Sequence, residues 1–336
     1  MKKTNARNKF HEKALVLGMK QVAPFEEYLE ANEEGLIQKF ITCFESYCQQ
    51  VTQMQKEGKK EPLAHIHFSL LRTNILDKNY KFRIDSYNKN WYMDKKTCSG
   101  EYDVSEIFSF ISLYETALET ERSKYAGQIS ASDVKSLLLE ESMKYTDIIT
   151  ELIRLALKRA VQIPSYQSVL REEYFIIQVG EFRDISYTVY VEDRRAKNPK
   201  DIIRLLETKE EEHQYEIFEQ IELEGGDFTD LRMAYSSGKG SHFTKNRFQR
   251  ALMVSCEFQE TTFKEVNFKD AQLLELDFTG AHLENINFED AQLHYLNFEN
   301  AKLINVDFTK VIDFEDINLS KATLINTKIP SESEVS

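Results

Sequence analysis

From Leu36 the apolar residues Leu36, Ile37, Phe40, Ile41, Phe44, Tyr47, Cys48 and Val51 return at intervals of three and four, which predicts an amphipathic helix within residues 25–54. At His65 the period shortens to two, and Ile66, Phe68 and Leu70 alternate with their neighbours. Asp77-Lys78-Asn79 offers a turn into Tyr80–Ile84, so a β-hairpin is expected there, with Trp91-Tyr92-Met93 as a candidate third strand. Two further helices follow. Asp103 and Glu106 form a capping box ahead of Ile107, Phe108, Ile111 and Leu118, and a second helix is expected from Asp133 to Val161. Beyond Pro164, Phe175–Val179 and Tyr187–Val191 read as a second hairpin with Arg183 and Asp184 at its tip, and a charged helix is expected near Asp201–His213. Residues 25–215 are therefore expected to form an α+β domain.

The rhythm then changes to one that suits neither helix nor ordinary strand. A large apolar residue stands at every fifth position: Phe228 and Met233, then, after a Gly-Ser-Lys loop, Phe243, Phe248, Met253, Phe258, Phe263, Phe268, Leu273, Phe278, Leu283, Phe288, Leu293, Phe298, Leu303 and Phe308. Two positions before each centre stands a second inward candidate. Over much of the run Ala in that place goes with Leu at the centre, and Leu, Ile or Val goes with Phe, so the true period is ten. The register slips once, by six residues from Phe308 to Phe314, where a bulge at Val311–Asp313 is expected. Gly238 falls on a central position, which suggests that the wall opens outward there.

Ala281-His282-Leu283-Glu284-Asn285 and Ala301-Lys302-Leu303-Ile304-Asn305 carry a resemblance to the pentapeptide-repeat family, whose pattern is A-(D/N)-L-x-x. The resemblance implies a right-handed quadrilateral β-helix in which four pentapeptides make one coil of twenty residues. On such a coil Phe258, Phe278 and Phe298 stack on one wall and Phe268, Phe288 and Phe308 on the opposite one. The expected architecture is multidomain: a mobile basic segment at 1–24, the α+β domain at 25–215, the pentapeptide-repeat solenoid at 216–329 and a disordered tail at 330–336.

Read by columns of twenty, the walls differ. One displays Glu257, Glu260, Asp277 and Glu299 without a base; another displays Leu252, Val254, Leu274, His294 and Tyr295 and is unusually apolar. Glu257, Glu260, Asp277, Glu299, Leu274, His294 and Tyr295 are therefore the candidate partner-binding residues. The apolar wall is a docking or dimer surface, or one that the N-terminal domain covers.

Charge narrows the partner. The chain carries a formal net charge of -13, which argues against a protein that grips nucleic acid through its phosphates. Relatives that mimic DNA and bind type II topoisomerases make the acidity relevant in another way. Between Leu252 and Lys310 there are eleven acids and four bases, on the order of one net charge per 2 Å of axis, near the duplex value of about 1.7 Å.

Cys43, Cys48, Cys98 and Cys256 lack CxxC spacing, so reduced thiols in a cytoplasm are expected. No apolar run is long enough for a signal-peptide core or a membrane span. His65 and His67 share one face of a strand, but a lone H-x-H does not specify a metal. The sequence holds no P-loop, no G-x-S-x-G and no acid–base carboxylate pair of defined spacing. The expected function is a non-catalytic protein-binding or scaffold role, with a homodimer as one option, without cofactor, metal, direct nucleic-acid or membrane binding. Two alternatives stand beside it: a DNA-mimicking topoisomerase-binding protein, and an enzyme or accessory subunit with a site around Arg72, Arg83, Trp91 and Tyr92.

Overall fold

A computed structural model describes residues 2–182 and 185–330. Arg183 and Asp184, at the expected hairpin tip, and residues 331–336 of the expected tail lie outside the described residues. The chain divides into two compact units, Met1–Asp193 and Arg194–Ser336.

The first unit places helices on one face of a five-stranded sheet. Its elements are α1 (Lys2–Lys56), β1 (Leu63–Leu70), α2 (Arg72–Leu76), β2 (Lys81–Tyr87), β3 (Cys98–Asp103), α3 (Ser105–Arg122), α4 (Ala131–Ala160), α5 (Pro164–Gln167), β4 (Arg171–Glu181) and β5 (Ser186–Asp193). The sheet order is β3-β2-β1-β4-β5, with β1 and β4 parallel and the remaining pairs antiparallel. The period-two residues Phe68 and Ile84 pair directly across β1 and β2, and Phe82 faces Tyr102 across β2 and β3. Phe40 of α1 packs on Phe68 and Tyr102 with ring centroids 5.5 and 5.4 Å apart. Gly100 has a reason in this packing: a Cβ there would sit 2.9 Å from the ring of Tyr47, whose hydroxyl donates to the Cys98 carbonyl at 2.9 Å.

Several local expectations are corrected. The first helix begins at Lys2 and not near Phe25, and Phe10 and Ala14, within the segment expected to be mobile, are buried. Phe10 meets Tyr125 edge-on at 5.5 Å. Sparse apolar positions hid that half of the helix. Trp91–Met93 is a 3-10 turn, and the third strand is β3. Val104, not Asp103, is the N-cap of α3; Asp103 accepts from the Ser105 N–H at 2.8 Å, and Glu106 turns away to Lys39 at 2.7 Å. The capping box lies at Ser130 and Asp133, ahead of α4.

The second unit opens with α6 (Pro199–Leu206), whose Ile202 and Leu206 join the core of the coil. The structure thus places this helix with the solenoid and divides the chain at 193/194 instead of 215/216. Coils follow from Glu212, and two parallel six-stranded sheets run to Thr323–Ile325. Leu252 pairs with Gln272 and Gln272 with Gln292, which gives the twenty-residue coil. The other two walls are columns of single bridges, such as Glu257 to Asp277 to Asn297. From Ala271 to Phe308 the sequence period of ten is this alternation: Ala-x-Leu units form the three-residue strands and Phe units form the bridge walls.

Geometry explains the alternation. After each of Phe268, Phe278, Phe288 and Phe298 the chain closes a turn in which the N–H of the following Ala donates back to the Phe carbonyl at 2.9–3.0 Å. The residue before that Ala is left-handed, as at Gly280 (φ +67°) and Asn300 (φ +57°), which is the type II pattern. The Ala residues are fully buried. Inside the coil Phe258, Phe278 and Phe298 stack at 5.7 and 5.0 Å, and Phe248, Phe268, Phe288 and Phe308 at 5.0, 5.3 and 5.4 Å.

Gly238 occupies a rung of the first ladder, between Phe218 and Phe258. The expected outward loop is absent and the coil continues through it. A Cβ on Gly238 would meet these two rings at 2.7 and 2.9 Å, because they close over the vacant place. The extra residue near Ile312 is taken up by a 3-10 turn at Phe308–Lys310, after which the pairing offset becomes 21, as in Gln292 with Asp313. Ile312 is left 68% exposed. At the far end the inward series thins out: Phe314 and Leu319 are half-buried, and Leu324 and Ile329 are exposed.

Candidate functional site

The solenoid brings the expected surface residues into columns, but not as equals. Asp277 is half-buried and its carboxylate is consumed locally. Thr279 donates to its Oδ1 through both hydroxyl and backbone N–H, at 2.5 and 2.9 Å; Gln259 donates to Oδ2 at 2.8 Å, and Asn297 to Oδ1 at 3.2 Å. Glu299 pairs with Lys321 at 2.8 Å, so this wall is not free of bases as the sequence columns suggested. Glu257 stacks one rung before Asp277, and Glu260 stands exposed at a left-handed corner with φ +58°. Elsewhere acids pair with bases across rungs: Lys264 with Glu284, Lys269 with Glu289 and Asp290, Arg250 with Asp230. This cross-rung neutralisation breaks up any continuous row of charge like that of a phosphate backbone.

The strand wall at 232–234, 252–254, 272–274 and 292–294 has a different character. Ala234, Val254 and Leu274 lie in register on adjacent strands, with Leu252 beside Val254 across the inward Met253. Leu274 is half-buried and Tyr295, on the adjoining corner, is 53% exposed. Tyr215 and Tyr235 stack at 5.3 Å in the same corner column. The sequence columns missed Ala234 and both of these tyrosines, because the Gly238 turn obscured the earliest coils. They also missed Asp313 and Glu315: a column of twenty sets His294 beside the inward Phe314, whereas the offset of 21 sets it beside Glu315.

In the first unit, His65 and His67 share the sheet face that also carries Asp85 and Arg83, as expected from their spacing, and each has a different neighbour. The His65 ring stands edge-on to Trp91 at 3.6 Å, and burial, followed by the nearby His67, lowers it to about 4. His67 is also lowered by burial, against the opposing pull of Asp85. Its Nε2 lies 2.8 Å from Ser186 Oγ. Asp85, its cross-strand partner, directs its carboxylate to Arg83 and Ser99, so it does not serve His67 and Ser186 as a carboxylate relay. Arg72 pairs with Glu181 at 2.6 Å, and Trp91 packs against Tyr87 and Tyr92. The cations and aromatics proposed for a pocket are thus engaged in structure. A shallow groove of about 480 Å³ opens beside Lys81, Arg83 and Glu101, and Lys81 and Glu101 pair with one another at 2.8 Å.

The four cysteines are free thiols. Burial pushes Cys48 and Cys256 up to about 12, which removes them as nucleophiles. No described helix is long and apolar enough to cross a membrane.

A four-sided coil of this kind defines a class, the pentapeptide-repeat β-helix, and the family model described as "Pentapeptide repeat region" matches residues 241–331. The C-terminal part of the chain is a pentapeptide-repeat region. No curated protein matches the chain. Among solved structures, full-length QnrB1, a plasmid-mediated fluoroquinolone resistance protein, is similar at 14% identity over 35% of this chain and 71% of its own, with a TM-score of 0.24. The pentapeptide repeat protein Rfr23 from the cyanobacterium Cyanothece 51142 is similar at 16% identity over 40% and 97%, with a TM-score of 0.19. A pentapeptide repeat protein of the Arabidopsis thaliana thylakoid lumen is similar at 18% identity over 36% and 71%, with a TM-score of 0.17.

Proposed function

We propose that the protein is a non-catalytic binding or scaffold protein whose solenoid presents the wall of Leu252, Val254, Leu274 and Tyr295 to a protein partner. The supporting observation is that wall itself: an aliphatic column in register, with an aromatic residue 53% exposed beside it. Apolar area flanked by tyrosine is the composition of an interface centre, and a stack of hydrogen-bonded rungs holds it without loss of order on binding. Against a DNA-mimic role stand the saturated Asp277 and the neutralised Glu299 on the acidic wall. Against an enzyme in the first unit stands the diversion of Asp85, Arg72 and Arg83 into structural pairs.

The test uses the full chain as bait in extracts of its native host, with Leu274→Glu as the comparison. The substitution places a charge on a half-exposed position and leaves the inward ladder intact. Partners retained by the wild type and lost from the variant are expected. Recovery of the same proteins by both would end the assignment to this wall.

A further inference from the structure

The geometry points to a divalent metal-ion site on the solenoid, formed by His294, Asp313 and Glu315. Asp313 and Glu315 alternate on one strand and so face outward together, and His294 is the direct neighbour of Glu315 on the next strand. The His294 Nδ1 lies 3.2 Å from Glu315 Oε2 and Nε2 lies 3.3 Å from Asp313 Oδ2. One ligand atom from each residue can be chosen so that all three lie within 4.8 Å of one another. Among the described residues this is the one such group of three.

Charge gives a second, independent reason. At several other rungs an acid meets a lysine or arginine about one coil away, as in Asp227 with Arg247, Asp307 with Lys328 and Glu299 with Lys321. At this place the residue one coil away is a histidine between two carboxylates, and neither Asp313 nor Glu315 pairs with a lysine or arginine among the described residues. The preceding positions in the two columns are Gln272, Gln292 and Leu274, so the cluster is not a continuation of a general acidic coat. The one-residue insertion before Asp313 creates it by shifting the pairing offset to 21.

One imidazole nitrogen with two carboxylate oxygens suits zinc and its first-row neighbours, whereas calcium and magnesium prefer oxygen throughout. The ion takes a single ring nitrogen. The carboxylate now on the other nitrogen must then swing round to the ion to reach the distances of about 2 Å that zinc requires. Both acids are at the surface and free to do so. Three protein ligands leave a fourth position for water or for a group from a partner. The bound ion would clamp the end strand of its sheet to the preceding rung.

The experiment titrates tag-free full-length protein with cobalt(II), followed by visible absorption, and with zinc(II) by calorimetry, with calcium as a control. One equivalent of zinc or cobalt is expected to bind and to raise the thermal midpoint. His294→Gln and the pair Asp313→Asn with Glu315→Gln should each weaken binding by about tenfold or more, and circular dichroism of the metal-free variants should be unchanged. His282→Gln, on the opposite strand wall, should bind as the wild type does. Absence of saturable binding, or binding that survives in the cluster variants, overturns the assignment.

Discussion

At the scale of single residues, the structure separates histidines that resemble one another in sequence. His65 is neutral because burial disfavours its charged form, and its Nδ1 has no hydrogen-bond partner among the described residues. Its folded value of about 4 lies below the ordinary value of 6.5, so between these two the unfolded chain binds the extra proton. Stability is therefore fully present above about pH 6.5 and falls as pH drops toward 4. His65→Phe, which removes the titrating ring and its unpaired nitrogen, is expected to flatten the stability profile over that window in denaturant titrations. An unchanged acid slope would show that another group sets it. Residues of this kind are opaque to sequence, since H-x-H spacing gives the shared face but not the ring of Trp91 or the hydroxyl of Ser186 that each histidine meets.

At the scale of elements, ladders of like side chains hold the coil together. The Phe218–Gly238–Phe258 stretch shows how tightly they are filled: the two phenyl groups occupy the place of the missing ring. Gly238→Ala is expected to destabilise the protein by about 1–3 kcal/mol through overpacking, read as a lower denaturation midpoint at unchanged slope. A neutral outcome would mean that the wall relaxes outward there, as the sequence alone suggests. The solenoid was legible from Phe243 to Phe308 because each coil repeats the same contacts, so five-residue spacing carries the fold. Legibility failed where a residue acts through neighbours from other coils, as at Gly238, and where an inserted residue moved the pairing offset past Phe308. In the first unit the dense helix from Leu36 and the strands of alternating pattern were legible, but Phe10 and Ala14 bury too sparsely for their half of α1 to show.

At the scale of the whole molecule, a five-stranded sheet covered by helices accompanies a β-helix whose walls are not equivalent. One strand wall is aliphatic and aromatic around Leu274 and Tyr295; the bridge wall of Asp277 saturates its own charge with threonine, glutamine and asparagine. A partner that reads the coil should therefore read one side of it. The most direct measurement places a photo-crosslinking amino acid at Tyr295 in one variant and at Lys302, on the opposite strand wall, in another, and irradiates each in the native host. A discrete adduct is expected from position 295 and none from position 302. An adduct from 302 alone, or equal adducts from both, would contradict the assignment of binding to the Leu274 wall.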